Sequence, residues 1–416
     1  MQSVRGMHDI LPDDIPRWHR IEASITECMR LYDYKEIRTP IVEYAELFYH
    51  GVGSDTDAVG KEMYVFPDRS GELLALRPEL TASVARAIVE HALHKHFANL
   101  RLWYYGPCFR YERPQKGRQR QFHQIGAECL GYDSQDADVE IIALAWDIVS
   151  SLCNGDYVTV VLNTLGTEEE QKRYRERLVE YLERYHYDLS EISQQRLRTN
   201  PLRILDSKDD RDRRIIADAP RLLDQLSHES ISRYETVKDL LHRLSIPFVE
   251  DTTLVRGLDY YTHTVFELRS TLLGAQDAVG GGGRYDNLIA RLGGDRLPGV
   301  GFGIGVERLL LIENSLVQQD RWKAIVYIAA TIDQREHVHA LAMMLRKHRI
   351  AVTADLNYRS LKAQLRTADR MGYRIALLLG IPDGCATVKD MARGEQFVLP
   401  QDPQTICVHV EHLLSS

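Results

Sequence analysis

The apolar positions of this 416-residue chain change period several times, and each change marks a different element. From Pro16 to Leu31, Ile21, Ile25, Cys28 and Met29 recur at three- and four-residue steps, which predicts a helix with one buried face. "YKEIRTPIVEYAELF" reads as a short strand and a connection broken by Pro40. In "EMYVFPDRSGELLALRPE" two apolar runs flank Asp68, Arg69, Ser70 and Gly71, the composition of a hairpin turn. "ELTASVARAIVEHALHKHF" returns to a helical period. A further helix is expected near Asp138 to Leu152, and a strand at "YVTVVLN".

From about Gly166 the pattern becomes strongly charged. "TEEEQKRYRERLVEYLERY" is helical, and Thr167 and Glu170 have the spacing of a capping box, in which each end satisfies a free backbone N–H of the other. Charged, mostly helical sequence continues to about Pro247. The stretch from about 166 to 250 is therefore an insertion between two parts of one sheet, which resumes at "TLVRGLDYYTHTVFELRS". After Lys323, strands ("AIVYIAA", "AVTADL", "RIALLLG") alternate with helices ("QREHVHALAMMLRKH", "SLKAQLRTADRM"). Two short strands and a last helix follow. That alternation predicts a small α/β domain with a largely parallel sheet, at 324–416, after a first domain at 1–323.

Composition narrows the class. With 44% hydrophobic and 27% charged residues the chain has the make-up of a soluble globular protein, long enough for two or three domains. No apolar run approaches the ~18 residues of a membrane span, and "MQSVRGMHDILPDD" has no apolar signal-peptide core. The six cysteines are scattered without a CxxC pair, so neither a zinc ribbon nor a disulfide framework is expected and no metal ligand is assigned. A cytoplasmic protein with free thiols is the simplest reading. The net charge of −8 argues against a general coat for nucleic acid, and leaves room for a local basic site.

One such site stands out. "FRYERPQKGRQRQFHQ", Phe109 to Gln124, holds five Lys or Arg and one acid. Side chains alternate along a strand, so Arg110 and Glu112 share one face, and Phe122, Gln124, Gly126 and Glu128 share one face of a second strand beyond a Pro114–Arg120 loop. Such a hairpin presents a guanidinium, two carboxylates, an aromatic ring and an amide on one surface. It suits a ligand with an anionic part, a flat ring and a cationic part. The alternative is a solvated, salt-bridged hairpin. Arg113, Lys116, Arg118 and Arg120 in the loop extend the positive charge.

Three further segments bear on that choice. "LVRGLDYY" sets Arg256, Asp259, Tyr260 and Tyr261 beside Gly257, either as core with a salt bridge or as the lining of a polar pocket. "AVGGGGRYDNLI" permits close backbone approach but lacks the Gly-Lys-Ser/Thr of a phosphate loop. In "PGVGFGIGVERLLL" glycines 299, 301, 303 and 305 make one bare strand face, a floor on which a flat group can lie, while Val300, Phe302 and Ile304 point into a core. A helix starts near Val306 with Arg308 in its first turn. The spacing is not that of a dinucleotide fold, and HExxH, GxSxG and Walker patterns are missing. His91, His94 and His96 lack metal-ligand spacing.

In this order the pieces resemble the class II aminoacyl-tRNA synthetases, and among them the histidyl-tRNA synthetase family. "YKEIRTPIVE", "GPCFRYERPQKGRQRQFHQIGAE" and "GVGFGIGVERLLL" are similar to that class's three motifs. "LVRGLDYYTHTVFE" and "GGGRYDNL" resemble the two segments particular to the histidine family. "RGMHDILPDD", "LRPELTASVAR", "NPLRILDSK" and "ATVKDMARGEQ" carry the likeness over nearly the whole chain. The resemblance implies an α+β catalytic core with an antiparallel six-stranded sheet, a helical insertion near the tRNA acceptor stem, a C-terminal α/β anticodon-binding domain and a homodimer. It implies formation of histidyl-adenylate from L-histidine and ATP with Mg2+, then transfer to the histidine tRNA.

Carried over by residue, Glu79, Thr81 and Gln124, with Leu80 between the first two, would hold the α-ammonium. Glu128 and Tyr261 would hold the imidazole, with Tyr260 beside them. Arg110 would grip the α-phosphate, Glu112 the adenine edge and Phe122 its face. Arg118 and Arg308 would take the outer phosphates. Arg256 would sit against the histidine carboxylate and the α-phosphate, where negative charge builds, and with Arg110 would both bind histidine and serve catalysis. Gln115 and neighbouring basic residues, Arg120 among them, would meet the 5′ end of the tRNA. Leu80 departs from a position often Gly, and His263 follows Thr262 where variation is expected. Arg359, Lys362, Arg366 and Arg370 recur at three- and four-residue steps, a helical stripe of cations placed to touch tRNA backbone, or else a solvated face. The rivals are a regulatory relative lacking the full catalytic set, against which Arg110, Arg256 and Arg308 speak, and an RNA-binding protein without chemistry.

Overall fold

Among the described residues, eleven short runs of extended backbone build the first part of the chain: β1 (Lys35–Glu36), β2 (Val42–Tyr44), β3 (Tyr64–Pro67), β4 (Leu73–Leu76), β5 (Leu100–Phe109), β6 (Gln121–Leu130), β7 (Val158–Thr164), β8 (Phe248–Glu250), β9 (Thr262–Ser270), β10 (Ala278–Tyr285) and β11 (Gly299–Gly305). The computed structural model describes residues 1–53, 56–97, 99–153, 155–205, 207, 209–255, 258–274, 277–313 and 326–415. Two units separate between 317 and 318. That junction and the expected boundary at 323 lie outside the described residues.

The main sheet of the first unit runs β1-β5-β6-β11-β10-β9-β7-β8. Its six central strands, β5 to β7 in that order, are all antiparallel. The expected six-stranded sheet is thus present, lengthened at each edge by a two- or three-residue parallel strand. Alternation decides its two faces. Ile125, Ala127 and Cys129 of β6 and Val300, Phe302 and Ile304 of β11 point into a core shared with helices Ile15–Leu31, Gln135–Leu152 and Val306–Ile312. The opposite face carries Phe122, Gln124, Gly126 and Glu128. Arg284 of β10, wholly buried, reaches into the helical layer and meets Asp138 with Nε and Nη2 at 2.5–3.1 Å.

The hairpin over Asp68–Gly71 forms as expected, and β2 joins it in a three-stranded sheet β2-β4-β3. The capping box closes as well: Thr167 Oγ1 accepts from Glu170 N–H at 3.2 Å, and Glu170 accepts from Thr167 N–H at 2.8 Å. The insertion does not stand apart from the sheet. Its helix His228–Arg243 packs Tyr234, Val237 and Leu241 into the core of the main helical layer, and β8 extends the sheet itself. No helix among the described residues is long and apolar enough to cross a membrane.

The second unit holds β12 (Val326–Ala329), β13 (Val352–Ala354), β14 (Ile375–Leu379), β15 (Cys385–Asp390) and β16 (Gln396–Pro400), ordered β13-β12-β14-β15-β16. The sheet is mixed rather than largely parallel, because only the first three strands return through helices. β15 and β16 follow as antiparallel hairpins, too closely spaced for a crossover. Lys362, Arg366 and Arg370 lie exposed on helix Leu361–Met371. Arg359 falls before that helix, and its Nε is held by Asp355 at 2.6 Å and its Nη2 by Thr367 at 3.3 Å. The cationic stripe therefore has three helical members, and the fourth is tied to a carboxylate.

Candidate active site

On the face of the main sheet opposite that helical core, β6, β10 and β11 floor a cleft of about 390 Å3. The short stretch before helix Thr81–Glu90 forms one wall and the Arg110–Arg120 loop another. The loop begins at Arg110, four residues earlier than expected, because β5 ends at Phe109. Arg110, Glu112, Arg118, Phe122, Gln124, Glu79, Thr81, Tyr260, Tyr261 and Arg308 all line this cleft. Charges scattered over 230 positions of sequence converge there, which a merely solvated hairpin does not require.

Glu128, 1% exposed, is not part of the cleft lining and lies buried behind its Thr81 wall. Tyr104 OH donates to its Oε1 at 2.9 Å and Tyr285 OH to its Oε2. Thr81 Oγ1 lies 3.3 Å from the same Tyr104 hydroxyl. Burial pushes the Glu128 carboxyl up to about 7, even though the hydroxyl donors favour its anion. Glu79 is also buried, which raises its carboxyl. The backbone N–H groups of Ala82 and Thr81, at 2.7 and 2.6 Å, and the charge of Arg110 work against that rise. The Tyr260 ring packs 4.6 Å from Tyr261 and 5.5 Å from Tyr285.

The glycine strand is not a bare floor. A Cβ at Gly301 would lie 1.7 Å from Glu128 Oε2, and one at Gly303 would lie 1.9 Å from Gln124 Nε2. The missing side chains make room for polar groups arriving from β6, whose register sets Gly301 beside Glu128 and Gly303 beside Gly126. Around Glu128 two members were not foreseen, Tyr104 and Tyr285. The signal for Tyr104 was Gly126: the two are cross-strand partners, and a Cβ on Gly126 would meet the Tyr104 hydroxyl at 2.3 Å. Leu80 does not face the cleft. Its side chain is 1% exposed within the apolar cluster that also holds Phe48 and Ile88.

The open end is cationic. Arg110 donates from Nε to Pro78 O at 2.9 Å, and its guanidinium lies 5.3 Å from the centre of the Phe122 ring. Arg308 donates from Nε to Gly117 O at 3.2 Å and from Nη1 to Ala278 O, which fastens the first turn of its helix to the loop. Burial lowers the Arg308 guanidinium, and the positive charge of Arg118 adds to that effect. A polyanion between the two removes this cost. Arg118 also pairs with Glu112 at 3.3 Å. Glu62, unforeseen, is raised by burial and by the charge of Glu112. Glu307 accepts the His123 backbone N–H at 2.9 and 3.0 Å and fixes β6 next to Phe122.

Gln115 is exposed at the loop tip, in a two-residue bridge with Arg118. Arg120 turns away from the cleft: Nε donates to Glu112 O at 3.2 Å, and the guanidinium stacks 3.8 Å from the centre of the Tyr111 ring. Arg256 lies outside the described residues. The insertion reaches the cleft through Arg203, 3.4 Å from Asp57, and Asn200 of the insertion also bonds Asp259 at 3.0 Å outside the cleft lining.

Residues 6–309 match the family model described as "Histidyl-tRNA synthetase", and residues 324–409 the model of an "Anticodon binding domain". A curated "Histidine--tRNA ligase" of Cyanothece sp. is 47% identical over 405 residues, 96% of this chain and 94% of that protein. The crystal structure of apo S. aureus histidyl-tRNA synthetase shares 34% identity at a TM-score of 0.78, covering 96% of this chain and 97% of that one. A structure titled as an ATP phosphoribosyltransferase regulatory subunit/histidyl-tRNA synthetase, from Bacillus halodurans C, has TM-score 0.65 at 23% identity, a likeness of fold alone.

Proposed function

This chain belongs to the histidyl-tRNA synthetase family, and from that premise we propose how its cleft joins histidine to tRNA. The enzyme is an ATP-dependent histidine–tRNA ligase. The histidine carboxylate attacks the α-phosphorus of ATP and pyrophosphate leaves. A hydroxyl of the terminal ribose of tRNA then attacks the carbonyl carbon of the adenylate and AMP leaves.

The observation that carries this reading is the polarity about one cleft: three guanidiniums in its lining, and behind its Thr81 wall a buried carboxylate held between two tyrosines. In it, Glu128 accepts from the imidazole and Tyr261 closes over the ring. Glu79, Thr81 and Gln124 take the α-ammonium. Adenine stacks on Phe122 with its edge toward Glu112. Arg110 neutralises the α-phosphate as the carboxylate approaches, and Arg256 serves the same charge. Arg118 and Arg308 hold the outer phosphates. Two anions must meet, so fixed cations supply most of the rate and no protein nucleophile is needed. Both ends of an imidazole are answered by buried polar groups, so an analogue lacking them is rejected by up to ~10⁴-fold. Mg2+ suits the oxygen donors of Glu62 and Glu112 and, when bound, offsets charge on the leaving pyrophosphate.

The sheet β2-β4-β3 supports the homodimer. Cross-strand pairing sets Val42, Tyr44, Tyr64, Phe66, Leu74 and Leu76 on one face, with Val42, Tyr44 and Phe66 39–60% exposed. An apolar face of that kind calls for a partner, and a second copy of the chain is the one proposed. Six free cysteines fit a cytoplasmic location. Gln115 and its basic neighbours meet the 5′ end of the tRNA, and Lys362, Arg366 and Arg370 its anticodon-stem backbone.

The test is charging of histidine tRNA with labelled histidine. The full chain should charge it in the presence of ATP, and Arg110→Ala should lose about a hundredfold or more of the rate. A chain that forms the adenylate but charges no tRNA, or an Arg110→Ala variant with normal rate, overturns the assignment.

A further inference from the structure

The last helix, Pro403–Ser415, carries Cys407 and Glu411 four residues apart, so both side chains leave one face. That face meets the end of helix Arg335–Lys347, whose next residue is His348. His348 Nδ1 lies 2.7 Å from Glu411 Oε1. One donor atom from each of the three residues lies within 4.8 Å of the other two. The thiol is wholly buried beneath an imidazole and a carboxylate whose side chains are 36% and 43% exposed.

We propose that His348, Cys407 and Glu411 bind a divalent cation of the zinc class. The donor set decides the class: one sulfur, one nitrogen and one oxygen match a borderline ion, whereas Mg2+ and Ca2+ demand about six oxygens. Bonds of about 2.0–2.3 Å around a tetrahedral ion put donor atoms ~3.3–3.6 Å apart. The His348–Glu411 pair therefore opens by under about 1 Å and the distances to the thiol close by up to about 1.5 Å, within the reach of half-exposed side chains. Three protein donors leave a fourth position toward solvent for water or an exchangeable ligand. The ion would stitch the final helix to the end of helix Arg335–Lys347, and none of the groups assigned to histidine activation takes part.

The full chain, stripped of metal, is titrated with Co2+, and the thiolate-to-cobalt charge-transfer band in the near ultraviolet is recorded. Zn2+ affinity is measured by competition with a chromogenic chelator. A single cobalt per chain with a charge-transfer band is expected, and the band should vanish in Cys407→Ala. His348→Gln and Glu411→Gln alter half-exposed side chains and should leave the fold and pyrophosphate exchange unchanged. Each should weaken Zn2+ by about tenfold or more, since losing even a residue behind a ligand costs about that much. No charge-transfer band in the parent chain overturns the site, as does an undiminished band in Cys407→Ala. Should Cys407→Ala fail to fold, the other two variants decide: unchanged Zn2+ affinity in both sinks the proposal.

Discussion

Gly303 leaves open the space that the Gln124 amide occupies: a Cβ there would lie 1.9 Å from Nε2, and its three nearest atoms all belong to that side chain. Gly303→Ala should therefore swing Gln124 out of the cleft without disturbing backbone. A lost hydrogen bond to a charged ammonium predicts a rise of about tenfold or more in the histidine KM. Stability should stay within about 1 kcal/mol. Steady-state exchange kinetics and a denaturation curve check both. A large loss of stability with normal histidine KM would mean that Gln124 is structural.

Glu128 gives a pH signature. Its folded carboxyl is raised from an ordinary value near 4.5 to about 7, so the folded state holds a proton that the unfolded chain releases. Stability contributed by the neutral form is fully present below 4.5 and is lost as pH rises through 7, up to roughly 3 kcal/mol. Glu128→Gln cannot ionise and should show a flatter profile across that window. Urea midpoints at intervals of pH compare the two chains. Parallel profiles would show that Glu128 does not titrate there.

The Arg284–Asp138 pair sits with both side chains 0% exposed, and Arg284 also donates to Tyr132 O and Ser134 O at 3.0 Å. Asp138→Ala leaves the buried guanidinium with Asp286 alone, 3.3 Å from Nη1, and should cost about 3 kcal/mol. Asp138→Ala with Arg284→Met removes the guanidinium as well, leaves Asp286 without its cation, and should recover part of that loss. Additive losses in the cycle would contradict a coupled buried pair.

Much of this architecture was legible because it is periodic. The helix starting near Pro16, the hairpin at Asp68–Gly71 and the Thr167–Glu170 capping box each depend on residues within a few positions of one another. β1 and β8, at two and three residues, are too short to carry a period. Tyr104 and Tyr285 belong to the site through cross-strand register, which no local pattern encodes. Leu80 was assigned by its place between Glu79 and Thr81, yet at the start of a helix neighbouring side chains point different ways. Arg359 kept the spacing of the cationic stripe but precedes the helix that would align it. His348 is 59 residues from Cys407, so their meeting is tertiary.

The apolar face of β2-β4-β3 predicts the assembly state. Tyr44→Asp with Phe66→Asp should convert a dimer into monomers, since two charges would enter one apolar contact. Light scattering across a concentration series reads the mass. A variant with the parent's mass would move the proposed interface elsewhere.

The most direct measurement is exchange of labelled pyrophosphate into ATP by the purified full chain, run with each amino acid in turn. The Glu128 end should admit histidine alone, and the Arg110, Arg118 and Arg308 end should make exchange depend on ATP. Exchange driven by L-histidine and by no other amino acid, and nearly lost in Arg110→Ala, is the predicted result. No histidine-dependent exchange, or equal exchange with another amino acid, would contradict it.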